Sequence, residues 1–247
     1  MKSLSIKKND LNKELGYLLY FPQTKQFFIE LLNNDINLPI FLAEFANNNI
    51  YSINSQYSLM WVKDRIISYE RNNIHNILMT IGLEQYDEYN ILIYQEGRSN
   101  KDDYYLALID NQYIYNIFSD RFNKKIHKVI LLQDFNLIIE FNNKQIKFIV
   151  LKDLIDKKYN IYITDFNKFI QVQIQPNGYG LNWENQLYID DNILYTNGIN
   201  LNINLKQLNL TSIIYINEEI NINILNMNTN IIISNQFYLN ENVYLNI

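Results

Sequence analysis

Apolar positions along the chain follow two periods, and the switch between them marks its elements. "LGYLLYFPQTKQFFIEL" (Leu15–Leu31) predicts a hairpin: an apolar strand, a turn at Pro22-Gln23-Thr24-Lys25, then a second strand. "NLPIFLAEFANNN" predicts a helix capped by Asn37, with Pro39 in the first turn, where a missing N–H costs little. Leu38, Phe41, Leu42 and Phe45 share one of its faces. In "SLMWVKDRII", Leu59, Val62 and Ile66 recur at helical spacing. "NNIHNILMTIGL" has the clearest helical period, through Ile74, Ile77, Leu78 and Ile81. Asn72 or Asn73 can cap it, and Gly82 can end it. "YNILIY" and "DYYLALI" predict strands around the loop "QEGRSNKDD".

Residues near Tyr113–Asn123 read as a connector, after which the pattern starts afresh. "NLIIEF", "NNK" and "QIKFIVL" predict strand, turn and strand, with Asn142-Asn143 tolerating the positive φ of a tight turn. Val150–Lys158 predicts a short helix, and "FNKFIQVQIQ" a helical turn leading into a strand. Beyond it, Ile199, Leu201, Ile203 and Leu205, then Ile220, Ile222 and Ile224, alternate with Asn or Lys, the period of half-buried strands.

Composition narrows the chemistry. The 247 residues are 48% apolar and 19% charged, enough to fill a core, so disorder is not expected. There is no cysteine, which excludes disulfides, thiolate nucleophiles and Cys-ligated metals. A catalytic triad or multi-His metal site would have to use His75 or His127, the two histidines present. The 41 Asn residues read as a compositional bias that blurs every pattern. No apolar run approaches the roughly 20 residues of a membrane span, and "MKSLSIKKND" lacks an apolar leader core. A cytoplasmic protein with no membrane contact is expected. Residues 1–123 carry 11 Lys+Arg against 15 Asp+Glu, residues 124–206 carry 10 against 8, and residues 207–247 carry none against 3. The last segment therefore cannot neutralise phosphates, on which nucleic-acid affinity depends.

The order "FIVLKDLI", "FNKFIQVQI" and "GYGLNWENQLYIDDNILYTNGI" resembles the bacterial domain of unknown function 2442 (DUF2442). Phe141, Asp153, Phe169, Val172, Gly180, Trp183, Leu194, Tyr195 and Gly198 stand at matching positions, over about residues 124–200. Asn143 departs from the family's turn glycine, and "ENQLYIDDNIL" from its usual acidic wording. The resemblance implies a regulatory or antitoxin-type role and no catalytic residues. It also implies a helix-turn-helix beyond the domain, or a small toxin-like partner. In "INEEININILNMNTNIIISNQFYLNENVYLNI" the recognition helix is short or missing, and no Lys or Arg follows Lys206, so added strands are favoured over a DNA reader.

Arg65, Arg71 and Arg98 are candidate anion or RNA-backbone ligands, or else clamps that fix loops on acids such as Glu70, Asp87 or Asp102. Lys124, Lys125, His127 and Lys128 ("NKKIHK") are a candidate basic patch, or else a solvated strand edge, and Lys157-Lys158 could extend it. Asp87-Glu88 and Asp102-Asp103 read as turns rather than acid–base pairs, and His75 as a helix-surface residue. Gly178, Gly180, Trp183, Leu194, Tyr195 and Gly198 read as fold punctuation, and Gly178-Tyr179-Gly180 is too short to cradle phosphate.

The expected architecture is α+β. It comprises an N-terminal mixed α+β domain (1–123), a small α/β module (124–200) and a β-rich or degenerate helix-turn-helix tail (201–247). The expected function is a non-enzymatic regulatory or interaction protein of antitoxin-like character, without cofactor or metal. Its partner would be a protein, a toxin or a nuclease, and nucleic-acid contact would be weak. An acidic inhibitor of a nuclease, of the anti-CRISPR kind, is the alternative, followed by a nucleic-acid-binding regulator or a nuclease.

Overall fold

The computed structural model describes residues 1–11, 13–132, 135–184 and 186–201, and the backbone of 208–210, 231–234 and 237–239. The chain is α+β and divides into two compact units, Met1–Ile117 and Phe118–Ile247.

The first unit runs β1 (Lys2–Lys8), β2 (Glu14–Phe21), β3 (Gln26–Leu31), α1 (Ile40–Asn47), β4 (Ser52–Ile53), α2 (Ser55–Lys63), α3 (Ile74–Thr80), α4 (Glu88–Tyr94), β5 (Tyr104–Ile109) and α5 (Asn111–Ile117). Its antiparallel sheet has the order β4-β3-β2-β1-β5. The expected hairpin is β2–β3, closed where Phe21 faces Gln26. The charged opening segment, for which the hydrophobic pattern predicts no element, forms β1 between β2 and β5. Its apolar signal is only Leu4 and Ile6, both buried. The alternating Ser3 and Ser5 are buried too, and Ser3 Oγ donates to Asn111 Oδ1 at 2.7 Å. Leu4, Ile6, Leu18, Phe27 and Ile29 share a core with Leu42, Ala46, Val62, Ile91 and Leu92 from the helices. Each of these side chains except Ala46 contributes about 1.5–3 kcal/mol by leaving water.

Helix boundaries differ from the sequence reading, and local hydrogen bonds explain how. α1 starts at Ile40 with Pro39 as its N-cap residue, not Asn37. Asn37 instead donates its backbone and side-chain N–H groups to Asp35 Oδ1, both at 2.9 Å. α2 starts earlier than its apolar period because Asn54 Oδ1 accepts from the Tyr57 N–H at 3.2 Å. The segment "YNILIY", expected as a strand, is helix α4. Asp87 Oδ1 accepts the Asn90 N–H at 2.8 Å, and this cap outweighs the strand-like apolar run. Asp87→Ala is expected to cost about 1 kcal/mol, read as a lower urea midpoint, with faster amide exchange in α4.

The second unit runs α6 (Ser119–Phe122), β6 (Ile126–Leu132), β7 (Leu137–Phe141), β8 (Ile146–Ile149), α7 (Phe166–Phe169), β9 (Val172–Ile174), β10 (Gly180–Trp183), β11 (Leu187–Asp190), α8 (Asp191–Asn197), β12 (Ile199–Leu201), β13 (Leu208–Leu210), β14 (Ile231–Ser234) and β15 (Phe237–Leu239). One sheet has the order β12-β8-β7-β6-β14, another β11-β10-β9, and β13 pairs with β15. β14 lies parallel to β6, and the other pairs are antiparallel. The expected β7–β8 hairpin is present, but Lys144 takes the positive φ (68°), not Asn142 or Asn143. Those two asparagines donate their backbone N–H groups to Lys125 O (2.9 Å) and Asn123 O (2.7 Å). The helix expected over 150–158 is replaced by 3-10 turns at Leu151–Asp153 and Lys157–Ile163, neither with a side-chain cap.

Val129, Leu131, Leu137, Ile139 and Phe141 pack with Leu181, Trp183, Leu187, Ile189 and Leu194 in one core. Trp183 is fully buried, and its Nε1–H donates to Phe169 O at 2.8 Å. The Tyr195 ring meets Phe141 edge-on at 4.9 Å, and Gly198 ends α8. Gly178 (φ +77°) lies so close to β6 that a Cβ there would come within 2.2 Å of Ile126 O. Its N–H donates to Gln175 O at 2.9 Å, an internal turn bond rather than a ligand contact. Of the alternating tail residues, Ile199 and Leu201 are on a strand. Ile203, Leu205, Ile220, Ile222 and Ile224 lie outside the described residues, as does most of the segment compared with a helix-turn-helix.

Candidate functional site

In the first unit, the start of α1, the end of α2 and the loop before β5 enclose a cleft of about 320 Å³. α1 gives Ile40 and Phe41, with Pro39 ahead of them. α2 gives Trp61, and Asp64 and Arg65 follow it. The loop gives Ser99 and Lys101 to Tyr104, and β1 ends there at Lys8.

Arg65 organises this cleft. It follows Trp61 by four residues, and its guanidinium lies 4.1 Å from the indole centroid. Nη1 and Nη2 donate to the two carboxylate oxygens of Asp102 at 2.9 and 2.5 Å. The arginine side chain is 3% exposed, so its charge is compensated inside the protein. Lys101 Nζ likewise meets Asp64 Oδ1 at 3.0 Å. Tyr104 donates its hydroxyl to Asn37 O at 2.8 Å, and burial raises its pKa above the ordinary phenol value. These bonds tie the loop to α2 and to the turn ahead of α1.

That turn is fixed by Asp35. The Lys13 ammonium, 2.5 Å from Asp35 Oδ2, and the Asn37 N–H hold its carboxyl down at about 2. An unfolded Asp titrates near 3.9. Its contribution to stability is therefore complete above about pH 4 and is lost as pH falls through 2. A carboxyl-carbon NMR titration is expected to show a midpoint near 2 for Asp35, moving back toward 3.9 in Lys13→Ala.

The other candidates are dispersed. Arg71 is exposed in the turn before α3. Arg98 is exposed, donating to Glu96 Oε2 (3.1 Å) and Asn9 Oδ1 (2.9 Å) and lying 4.8 Å from the Tyr105 ring. It lines a second, more apolar cleft of about 390 Å³ with Leu92, Leu106 and Leu108. His75 is exposed on α3.

The basic run does not form one solvated edge. Lys124 and His127 are exposed, and Lys128 is half-buried opposite Glu140. Lys125 is the correction: it is 1% exposed, with Nζ 3.1 Å from Asp191 Oδ1 and 3.8 Å from the Tyr179 ring centroid. Its acid partner begins α8, and sequence spacing could not join positions so far apart. Lys158 lies over the Tyr159 ring at 4.7 Å.

Trp61, Ile40 and Tyr104 were not singled out from the sequence. The signal that could have found the cleft is Trp61 and Arg65 at a spacing of four on a predicted helix, which places a guanidinium against an indole. Ile40, on the cleft wall, is 85% exposed; Ile36 ahead of α1 is 99% exposed, and Met60 and Tyr57 on α2 are 50% and 39% exposed. Ring contacts run from Phe41 to Phe45 (5.5 Å) and from Phe45 to Tyr57 (5.1 Å). The site joins an apolar wall to internally paired charges, an arrangement suited to holding an apolar group.

Among the described residues, no group of three or more His, Cys, Asp or Glu could hold a metal ion. Among them, too, no helix is long and apolar enough to cross a membrane. No family model, curated protein or solved structure matches the chain.

Proposed function

We propose that this chain is a non-enzymatic regulatory protein of antitoxin-like character that binds another protein through the α1–α2 face of its first unit. The observation that carries this reading is the exposure of Ile36 ahead of α1, of Ile40 at its start and of Tyr57 and Met60 on α2, the two elements that form a cleft where Arg65 and Lys101 are paired with Asp102 and Asp64. Exposed apolar side chains grouped on neighbouring elements mark an interaction surface. The DUF2442 resemblance of residues 124–200 supports a regulatory role and a toxin or nuclease as partner. Affinity capture from the native host, read by mass spectrometry, tests it. A stoichiometric toxin or nuclease is the expected result. A chain that retains no protein but binds nucleic acid strongly would overturn the reading.

A further inference from the structure

Two buried donors under the α1–α2 cleft have no acceptor. Trp61 and Arg65 are each 4% exposed, and neither Trp61 Nε1 nor Arg65 Nε has a hydrogen-bond partner. Both residues line the cleft. Its ionic groups balance: Lys8, Arg65 and Lys101 stand against Asp64, Asp102 and Asp103. A charged ligand of either sign would therefore meet like charges as well as opposite ones, with no net charge in the lining to attract it, and Arg65 already has its carboxylate in Asp102. The walls are apolar and aromatic, from Pro39, Ile40, Phe41 and Trp61.

From these features we infer that the cleft takes an uncharged apolar side chain with its flanking main-chain carbonyl, presented by the protein partner. The carbonyl accepts from Trp61 Nε1, and the side chain packs on Ile40 and Phe41. The inference rests on reading this face as the contact surface and names what the partner inserts. Each nitrogen is covered by its neighbours, so entry requires the lining to part. Ile40, 85% exposed, is the apolar wall residue that faces solvent.

The test uses the full chain labelled with ¹⁵N, which carries two indole N–H signals, from Trp61 and Trp183. Trp61→Phe assigns them. N-acetyl-phenylalanine amide is titrated beside N-acetyl-phenylalanine, whose carboxylate is charged. The amide is expected to move the Trp61 signal downfield and saturably, leaving Trp183 unmoved. The carboxylate is expected to bind at least about tenfold more weakly. Ile40→Asp, which charges the mouth without touching the core, is expected to abolish the shift. An unmoved Trp61 signal, or tighter binding of the carboxylate, overturns the inference. A captured partner alongside an inert probe would sink the pocket and leave the contact face standing. A bound amide with no partner captured would leave the pocket standing and sink the protein-contact reading.

Discussion

Asp191→Ala is expected to destabilise the second unit by about 3–5 kcal/mol, because it takes a carboxylate away from a buried ammonium. The Lys125 side chain is 1% exposed and that of Asp191 7%. The Tyr179 ring, 3.8 Å from Nζ, adds cation–π attraction, which is weaker than the ion pair. Replacing both residues, as Lys125→Met with Asp191→Leu, removes the desolvation cost along with the attraction. This double variant is expected to recover most of the loss. Urea unfolding read by fluorescence in a Trp61→Phe background, which leaves Trp183 as the sole tryptophan, checks both. A single variant within about 0.5 kcal/mol of the parent would mean that the pair is not buried as described.

Gly178→Ala is expected to cost more than about 3 kcal/mol. Its φ of +77° is unfavourable for any Cβ, and a Cβ would also come within 2.2 Å of Ile126 O and 2.6 Å of Ile126 N. Those are backbone atoms of the first residue of β6, held opposite Phe141 of β7, and cannot swing aside as a flexible side chain could. Gly82 provides the matched control. Its φ is +74°, yet nothing lies within 4 Å of the added carbon. Gly82→Ala should therefore cost only the backbone strain, about 1–2 kcal/mol. Equal losses at the two positions would show that strain, rather than close approach, governs both.

These two loci adjoin each other in the fold, since Gly178 sits against the residue that follows Lys125. The sequence does show that scarce glycines and Trp183 concentrate there and that their role is structural. It hides the consequence that their close approach draws Tyr179 over Lys125. A run of four basic-type residues reads as solvated because spacing along a chain cannot say which of them a later helix will cover. The same limit hides the first cleft. Arg65 and Asp102 are both visible as candidates, and a clamp between them is among the readings open at that stage. The wall from Ile40 and the hydroxyl of Tyr104 come from segments that only the tertiary fold brings together. The α4 segment failed for a different reason. "YNILIY" has strand composition, and a single Asp87 cap bond with burial of Tyr89, Ile91 and Leu92 makes it a helix. Strand patterns are legible where they are long, in β2–β3 and β7–β8. They failed where an element has only two apolar residues, as in β1.

The most direct measurement is capture of the partner by the parent chain and by Ile40→Asp and Met60→Asp variants. Both positions are exposed, at 85% and 50%, so each variant should fold normally by circular dichroism. The account predicts that the parent retains a stoichiometric toxin or nuclease and that each variant loses it by about tenfold or more. Retention undiminished in both folded variants would contradict it, placing the contact surface elsewhere on the chain.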